Sequence, residues 1–310
     1  MTFIKNLSRH PSFGIMLAAF GALMITPDTL FMRLSELSGW AMLAWRGTEM
    51  GLLLLVLWLV LRRHALIADL AHLKSWPALL AIACHAVGNM FFSLAVAETA
   101  ISIVLIALAC SPLFAALFSR LLLGEKTLAA TWIVIVITFI GVAIAVSGDG
   151  LALDEGAQGS GNMLAGALFA ICAAALIGLS FVCYRRAPDM NVVLVTGSGA
   201  LGAGLIGLVM APSASLLAGH VGFISINGLF ILPVSFIALT YATRYTQAAN
   251  VSLLMIIETI LGPIWVWMAL GERPTNEMFI GGLIVVTAIF WYTLHLSKHS
   301  ASAASLKASE

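Results

Sequence analysis

Long apolar runs alternate with short polar connections along almost the whole chain. Each run is long enough to cross a hydrocarbon core about 30 Å thick, because an α-helix rises about 1.5 Å per residue. We therefore predict an all-α membrane protein with ten transmembrane helices, called spans 1 to 10 below. Their predicted bounds are 12–32, 38–61, 76–97, 100–122, 128–147, 162–184, 192–211, 222–243, 248–270 and 277–296.

The composition supports a membrane protein rather than a soluble one. Hydrophobic residues make up 61% of the 310 residues and charged residues 9%, with a mean hydropathy of +1.06. A soluble domain needs about a quarter of its residues charged to cover its surface. The four cysteines lie in apolar runs without CxxC spacing, so we expect packing roles for them. We expect no metal, no cofactor and no nucleic-acid partner.

The positive charges predict the orientation of the chain. With a cytoplasmic N-terminus and ten spans, twelve of the 15 Lys and Arg residues fall on the cytoplasmic side. Two, Arg33 and Arg273, fall on the outer side, and Arg46 lies within span 2. This split follows the positive-inside rule and would be lost if one span were miscounted. Both termini are therefore predicted to be cytoplasmic.

An internal repeat divides the chain into two halves. A shift of 147 residues aligns Leu-Leu-Gly-Glu-Lys at 122–126 with Ala-Leu-Gly-Glu-Arg at 269–273. The predicted segments are a five-span half at 1–147, an external acidic linker at 148–161, a second half at 162–296 and a cytoplasmic tail at 297–310. Five crossings is an odd number, so the halves must be inverted, as in carriers that bind substrate near the membrane midplane.

Several short motifs mark particular helices of the two halves, and the Gly-Glu pair occurs in both. In chain order they are Trp45-Arg46-Gly47, Ser111-Pro112, Gly124-Glu125, Glu258-Thr259 and Gly271-Glu272. Their order and spacing resemble the EamA-type ten-helix members of the drug/metabolite transporter superfamily. In that family the fourth helix of each half carries a mid-helix proline, often as Glu-Pro, and ends in Gly-Glu. Here Glu258 is followed by threonine, and the proline of span 9 is Pro263.

The resemblance implies a secondary carrier in the inner (plasma) membrane, with a central cavity between the halves, acting as a monomer or homodimer. An amino acid, an amine or a related polar metabolite is the favoured substrate, and export is the favoured direction. Uptake of a vitamin or nucleotide-type metabolite is the alternative. A coupling proton is compatible with the motifs but is not required by them.

An intramembrane enzyme and a channel are the competing functions. The sequence contains no HExxH, GxSxG or P-loop motif. A channel would favour a pore ring supplied by repeated subunits, whereas this chain carries its own pseudo-symmetry. We therefore expect a carrier rather than an enzyme, a channel or a receptor.

Glu258 is the leading candidate for substrate contact. It lies about halfway along span 9, and a shift of 147 residues places it opposite Ser111 of span 4. An ionisable group at this depth costs about 2.5 kcal/mol or more unless it has a partner, a water-filled cavity or a function. Glu258 is predicted to meet a substrate amine or a coupling proton. The alternative is a structural acid that is protonated or paired.

Asp28 and Arg46 are predicted to form an ion pair. Asp28 follows Pro27 in span 1, and Arg46 lies at similar depth, about two turns into span 2. Either charge alone would be costly in the bilayer. The pair is an outer gate or a fixed link between two helices, and we favour the fixed link. Arg46 could still meet a substrate carboxylate.

A polar stripe marks one face of span 3. His85, Asn89 and Ser93 recur at i, i+4 and i+8, so they share a face that lines the cavity or contacts another helix. The weaker candidates for substrate contact are Ser111, Trp45, Trp265 and Tyr241. Tryptophans at span ends, Trp58 among them, are predicted to anchor the chain at the membrane interface.

The orientation is testable with reporter fusions. A reporter fused after Ser300 should give a cytoplasmic signal and one fused after Gly156 an external signal, because an odd number of predicted spans separates them. Matching signals at the two positions would contradict both the topology and the inverted repeat.

Overall fold

The computed structural model describes residues 13–124, 129–147, 162–187, 189–242, 248–271, 273–288 and 290–291. Every regular element in these ranges is a helix. The predicted external linker, the predicted tail and the glutamates of both Gly-Glu motifs lie outside the described residues.

The helices follow the predicted spans closely. In the first half they are Phe13–Ile25, Asp28–Leu34, Gly39–Leu61, Leu66–Leu73, Trp76–Glu98, Ile101–Leu108, Ser111–Leu123 and Ala129–Ser147. In the second half they are Met163–Arg186, Val192–Met210, Ser213–Leu217, Val221–Ile226, Asn227–Ile231, Leu232–Ala242 and Ala248–Leu270, followed by Asn276–Ala288. We call Leu66–Leu73 the connecting helix, because it joins spans 2 and 3.

Seven of the described helices are long and apolar enough to cross a membrane. Shorter apolar helices occupy the places of spans 5, 9 and 10, at Trp132–Ala145, Ile257–Leu270 and Asn276–Ala288. Large apolar side chains are exposed on the outside of the bundle, as an all-α membrane protein requires. Val60 is 65% exposed and Val209 83% exposed.

Prolines interrupt spans 1, 4 and 8. A proline lacks the N–H that closes a helical hydrogen bond, and its ring crowds the carbonyl four residues earlier. Span 1 breaks just before Asp28, at Pro27, and span 4 breaks between Leu108 and Ser111. In span 8 the π-helix Asn227–Ile231 lies immediately before the helix that contains Pro233, as expected where the backbone must widen around a missing donor.

Span 9 remains one continuous helix with Pro263 inside it. Pro263 leaves the carbonyl of Thr259, the neighbour of Glu258, without its helical donor. Membrane proteins accept such backbone groups where protein or a cavity, rather than lipid, surrounds them. The breaks in spans 1 and 8 and the internal proline of span 9 therefore point to the interior of the bundle.

The contacts between the halves follow a pseudo-two-fold pattern. Span 2 packs on span 7, and span 4 packs on span 9. Span 3 packs on span 6 as span 8 packs on span 1, and span 4 packs on span 6 as span 9 packs on span 1. Exchanging each span with the one five places later reproduces this set, as expected for a two-repeat architecture.

Glycines bring spans 2 and 7 into backbone contact. A β-carbon added to Gly47 would lie 2.5 Å from the backbone nitrogen of Gly204, and one added to Gly51 would crowd Leu201. Residue numbers rise along span 2 as those of their neighbours fall along span 7, so the two spans are antiparallel. These equivalent spans of the two halves therefore run in opposite directions, which is the inversion that the sequence predicts.

Replacing Gly204 with alanine should destabilise the protein. The new β-carbon would clash with backbone atoms of Gly47 and Thr48, and overpacking of this kind costs about 1–3 kcal/mol. Gly222→Ala is the matched control, because a β-carbon at Gly222 would meet nothing within 4 Å. Thermal unfolding of the purified variants in detergent should show a lower midpoint for Gly204→Ala alone. Equal midpoints would contradict the close crossing.

Candidate substrate site

A group of buried polar residues lies where spans 1, 2, 8 and 9 meet. We call it the polar cluster, and its members are Asp28, Thr29, Arg46, Asn227 and Glu258. Each is at most 9% exposed. Asp28, Asn227 and Glu258 lie within two turns of the prolines described above, so the polar side chains and the irregular backbone share one region.

Asp28 is the centre of the hydrogen bonding in the cluster. Its Oδ2 lies 3.3 Å from Arg46 Nη2 in an ion pair whose side chains are 3% and 4% exposed. Asn227 Nδ2 donates to Asp28 Oδ1 and, at 3.1 Å, to the Asp28 carbonyl oxygen. Span 8 thus fixes the carboxylate that neutralises Arg46.

Arg46 is held on several sides within the bundle. Its Nη1 lies 3.0 Å from the sulfur of Met32, and the guanidinium carbon lies 5.0 Å from the ring centroid of Phe92 on span 3. Such a cation–π contact contributes about 2 kcal/mol when it is desolvated. Arg46 therefore links spans 1, 2 and 3 around one buried charge.

Glu258 gives the cluster an excess of negative groups. It is 9% exposed and lies close enough to interact electrostatically with both Asp28 and Arg46. The cluster therefore contains two carboxyl groups and one guanidinium. A buried carboxylate without its own cation is neutralised by a proton or by a bound cation, because an isolated charge is too costly in a low dielectric.

Three cluster atoms are unpartnered within the described part of the chain. Thr29 Oγ1, Arg46 Nε and Asn227 Oδ1 are buried, and none has a hydrogen-bond partner there. Buried polar atoms are nearly always satisfied by protein, water or ligand. This set offers a donor, an acceptor and a hydroxyl, which suits a ligand with both kinds of polar group.

The predicted stripe on span 3 divides into two parts. Ser93 is fully buried, and its Oγ has no partner among the described residues. His85 Nε2 lies 2.8 Å from Tyr184 OH, which lies 2.9 Å from Thr196 Oγ1. Asn89 Nδ2 donates to the His85 carbonyl at 2.8 Å. His85 thus joins spans 3, 6 and 7, whereas Ser93 follows Phe92, whose ring lies beside Arg46.

The other predicted contact residues lie in different places. Trp265 Nε1 donates to Thr26 Oγ1 at 3.1 Å, close to the cluster. Trp45 Nε1 donates at 2.8 Å to the carbonyl of Leu216, in the short helix between spans 7 and 8. Ser111 is half-buried against span 6. Tyr241 is 41% exposed and lines a surface pocket with Arg62, away from the cluster.

Contacts between loops join the halves at one end of the bundle, which we call the loop end. The backbone N–H of His220 donates to the Ser35 carbonyl at 2.7 Å. The bond from Trp45 to Leu216 lies beside it. The connection between spans 1 and 2 is thereby tied to the connection between spans 7 and 8.

The equivalent loops are joined at the opposite end, which we call the basic end. Asp69 of the connecting helix accepts from Trp58 Nε1 at 2.8 Å, from Arg62 Nη2 at 2.7 Å and from Asn191 Nδ2 at 2.9 Å. Hydrogen bonds from Arg62 lower the pKa of Asp69 to about 2, although burial opposes the shift. The hydrogen bonds of ionised Asp69 therefore stabilise the folded protein fully at neutral pH. This stabilisation is lost as the pH falls from about 4 to about 2.

The sequence did not identify three polar residues that have hydrogen-bond partners in the structure. Asn227 resembled an ordinary residue near a span end, and Asp69 resembled a loop acid. Glu49 is half-buried one turn after Arg46 and accepts from Ser225 Oγ at 2.6 Å. Its position inside span 2 was an available signal. Trp58, predicted as an interfacial anchor, is instead 6% exposed because it packs inward to bond Asp69.

Comparison with known proteins decides the family. The sequence profile of the EamA-like transporter family matches residues 12–147 and 164–294. The chain belongs to the EamA-like transporter family. The two matched ranges correspond to the two halves that meet at the polar cluster, so the protein is a multi-pass membrane transporter, and the sequence-based family prediction is confirmed.

Solved structures add support for the fold. A crystal structure of a protein has a similar fold, with a TM-score of 0.58 and 17% sequence identity over 90% of this chain and 96% of that chain. At this identity the likeness shows the fold alone. A comparison with curated proteins finds no match.

Breaking the Asp28–Arg46 pair should strongly destabilise the protein. Arg46→Gln leaves the Asp28 carboxylate without its cation, and Asp28→Asn removes the carboxylate bonded to Arg46; breaking a buried pair in either way costs about 3–5 kcal/mol. The charge-swapped double variant should recover part of this loss, as measured by thermal unfolding in detergent. Glu36→Gln is the control, because Glu36 pairs with His220 at 3.9 Å on the surface and should contribute less than about 0.5 kcal/mol. Purely additive effects of the two single changes would contradict the pairing.

Proposed function

We propose that this transporter is a secondary carrier that exports a small amine-bearing metabolite, such as an amino acid or an amine, across the inner membrane by alternating access. The observation that carries the proposal is the polar cluster, which places two buried carboxyl groups and one guanidinium between the inverted halves. An ammonium group would supply the missing positive charge. A charge-assisted hydrogen bond to a carboxylate is about twice as strong as a neutral one.

The substrate would use specific atoms of the cluster. Glu258 receives the ammonium, and Asn227 Oδ1 and Thr29 Oγ1 are further acceptors for its protons. Arg46 Nε is a donor available to a substrate carboxylate or hydroxyl. The indole of Trp265, held by Thr26, gives an apolar wall beside these groups. Asp28 stays paired with Arg46 and keeps the guanidinium in place.

Alternating access is supported by the equivalent contacts at the two ends. The pseudo-two-fold relation exchanges the loops joined at the loop end with the loops joined at the basic end. Each end can therefore open by the same kind of movement while the other stays closed, with the polar cluster between them. We propose that the basic end faces the cytoplasm, following the positive-inside rule.

The carrier mechanism can be separated from a channel by a flux assay. The purified protein in lipid vesicles should give saturable uptake of an amine metabolite that is stimulated by the same compound on the opposite side. An ohmic current without such stimulation would contradict a carrier.

Comparing metabolite release from cells that overexpress or lack the chain tests the export direction and identifies the compound.

Glu258→Gln should reduce transport about tenfold or more while leaving insertion intact, because the loss of one charged hydrogen bond corresponds to about 1.5–3 kcal/mol. Glu277→Gln, a half-buried acid at the start of span 10, is the matched control and should transport normally. Initial rates in vesicles over a range of pH are the measurement. A weaker affinity with an unchanged pH profile indicates substrate contact, whereas a lost pH dependence indicates proton coupling. Wild-type rate and affinity would show that Glu258 is structural.

A further inference from the structure

The connecting helix Leu66–Leu73 exposes apolar side chains at the end of the bundle. Ile67 is 87% exposed and Leu70 is 48% exposed. They lie three residues apart and so share one face of this helix. The inward face carries Asp69, which is 3% exposed and bonded to Trp58, Arg62 and Asn191. The helix is thus fixed to the bundle on one side and open on the other.

The exposed surface around these apolar residues carries basic groups. Arg63 and His64 precede the helix, Lys74 follows it, and all three are exposed. The sole acidic residue between Leu61 and Trp76 is Asp69, and its carboxylate faces the bundle. The outer surface of this connection is therefore basic and apolar. An exposed acid of another connection, Asp189, lines a pocket with Arg62 and Asp69.

The position of the helix places this surface at the membrane boundary. Span 2 ends at Leu61 and span 3 begins at Trp76, so the chain turns back after a short connection. Trp76 is 51% exposed at the start of span 3, where tryptophans mark the headgroup level of a bilayer. The bond from Asp69 to Trp58 within span 2 keeps the connecting helix close to that level.

We propose that the connecting helix, with Arg63, His64 and Lys74, is a binding site for the headgroup of an anionic phospholipid. The basic side chains contact the phosphate, and Ile67 and Leu70 enter the boundary between headgroups and acyl chains. Amphipathic helices bind membranes in this way, and basic residues beside them are attracted to anionic headgroups. Because Asp69 already fixes the helix, little ordering is needed when the lipid binds.

The site has a structural consequence at the basic end of the transporter. Asn191, in the connection between spans 6 and 7, bonds the same carboxylate that anchors the connecting helix. A lipid bound to the outer face would therefore stabilise a unit that includes both halves. This proposal does not depend on which substrate is carried.

The test is the thermal unfolding of the full chain in neutral detergent with added lipid. Phosphatidylglycerol should raise the unfolding midpoint more than phosphatidylcholine with the same acyl chains. The Arg63→Gln/Lys74→Gln double variant should lose at least half of that difference. Its midpoint without lipid should equal that of the unaltered protein, because both side chains are exposed. Arg273→Gln, an exposed basic residue between spans 9 and 10, is the control and should keep the full difference.

Native mass spectrometry of the same samples gives a readout that does not depend on unfolding. Fewer phosphatidylglycerol molecules should remain bound to the double variant than to the unaltered protein or to Arg273→Gln. Equal shifts with the two lipids, an equal loss in Arg273→Gln, or equal lipid retention in all three proteins would overturn the proposal. A second copy of the chain covering this face, seen as a dimer lost on Ile67→Ser while lipid has no effect, would also overturn it.

Discussion

The buried guanidinium of Arg46 is the constraint on which the interior of this protein depends. A positive charge 3% exposed inside a membrane bundle needs an anion and further polar contacts. Asp28 supplies the anion, and Asn227 holds Asp28 in place. The break at Pro27 and the π-helix that begins at Asn227 put these side chains into the interior. Glu258 then adds a second carboxylate to the cluster without a second cation among the described residues, and we propose that this makes the cluster receptive to a proton or an ammonium ion.

Inverted symmetry relates the two ends of the bundle, but their chemistry differs. At the loop end, the halves are joined by hydrogen bonds from His220 and Trp45 to backbone carbonyls and by the exposed pair of Glu36 with His220. At the basic end, Asp69 accepts from a guanidinium, an indole and an amide. Charge-assisted hydrogen bonds are the stronger kind. Under the proposed alternating access, the energy needed to open each end is therefore set by different residues.

The fold was largely predictable because its main signals are local. Apolar run length sets the spans, and the odd number of spans in each half sets the inversion. The depth of Asp28 and Arg46 along their spans suggested that they meet, since both needed compensation. The length of span 8 could not predict its π-helix. The π-helix arises where Pro233 removes a backbone hydrogen-bond donor from a helix whose apolar run is continuous.

The site was less predictable because its partners are distant in sequence. Asn227 lies 199 residues from Asp28, and Tyr184 lies 99 residues from His85. A polar residue near a span end has the same pattern whether it faces water or bonds a buried acid. The prediction that Trp58 is an interfacial anchor was wrong for the same reason. Its position near a span end does not distinguish an indole at the membrane interface from one bonded to Asp69.

The central claim is that the polar cluster is reached alternately from the two sides of the membrane. Thr29 tests it, because its hydroxyl is buried in the cluster and unpartnered within the described ranges. Thr29→Cys, in a chain whose four cysteines are replaced by alanine, can be probed with a membrane-impermeant maleimide added to either face of oriented vesicles. Our account predicts labelling from each face, slowed in both cases by the transported amine. Labelling from one face alone, from neither face, or at a rate unaffected by the amine would contradict it.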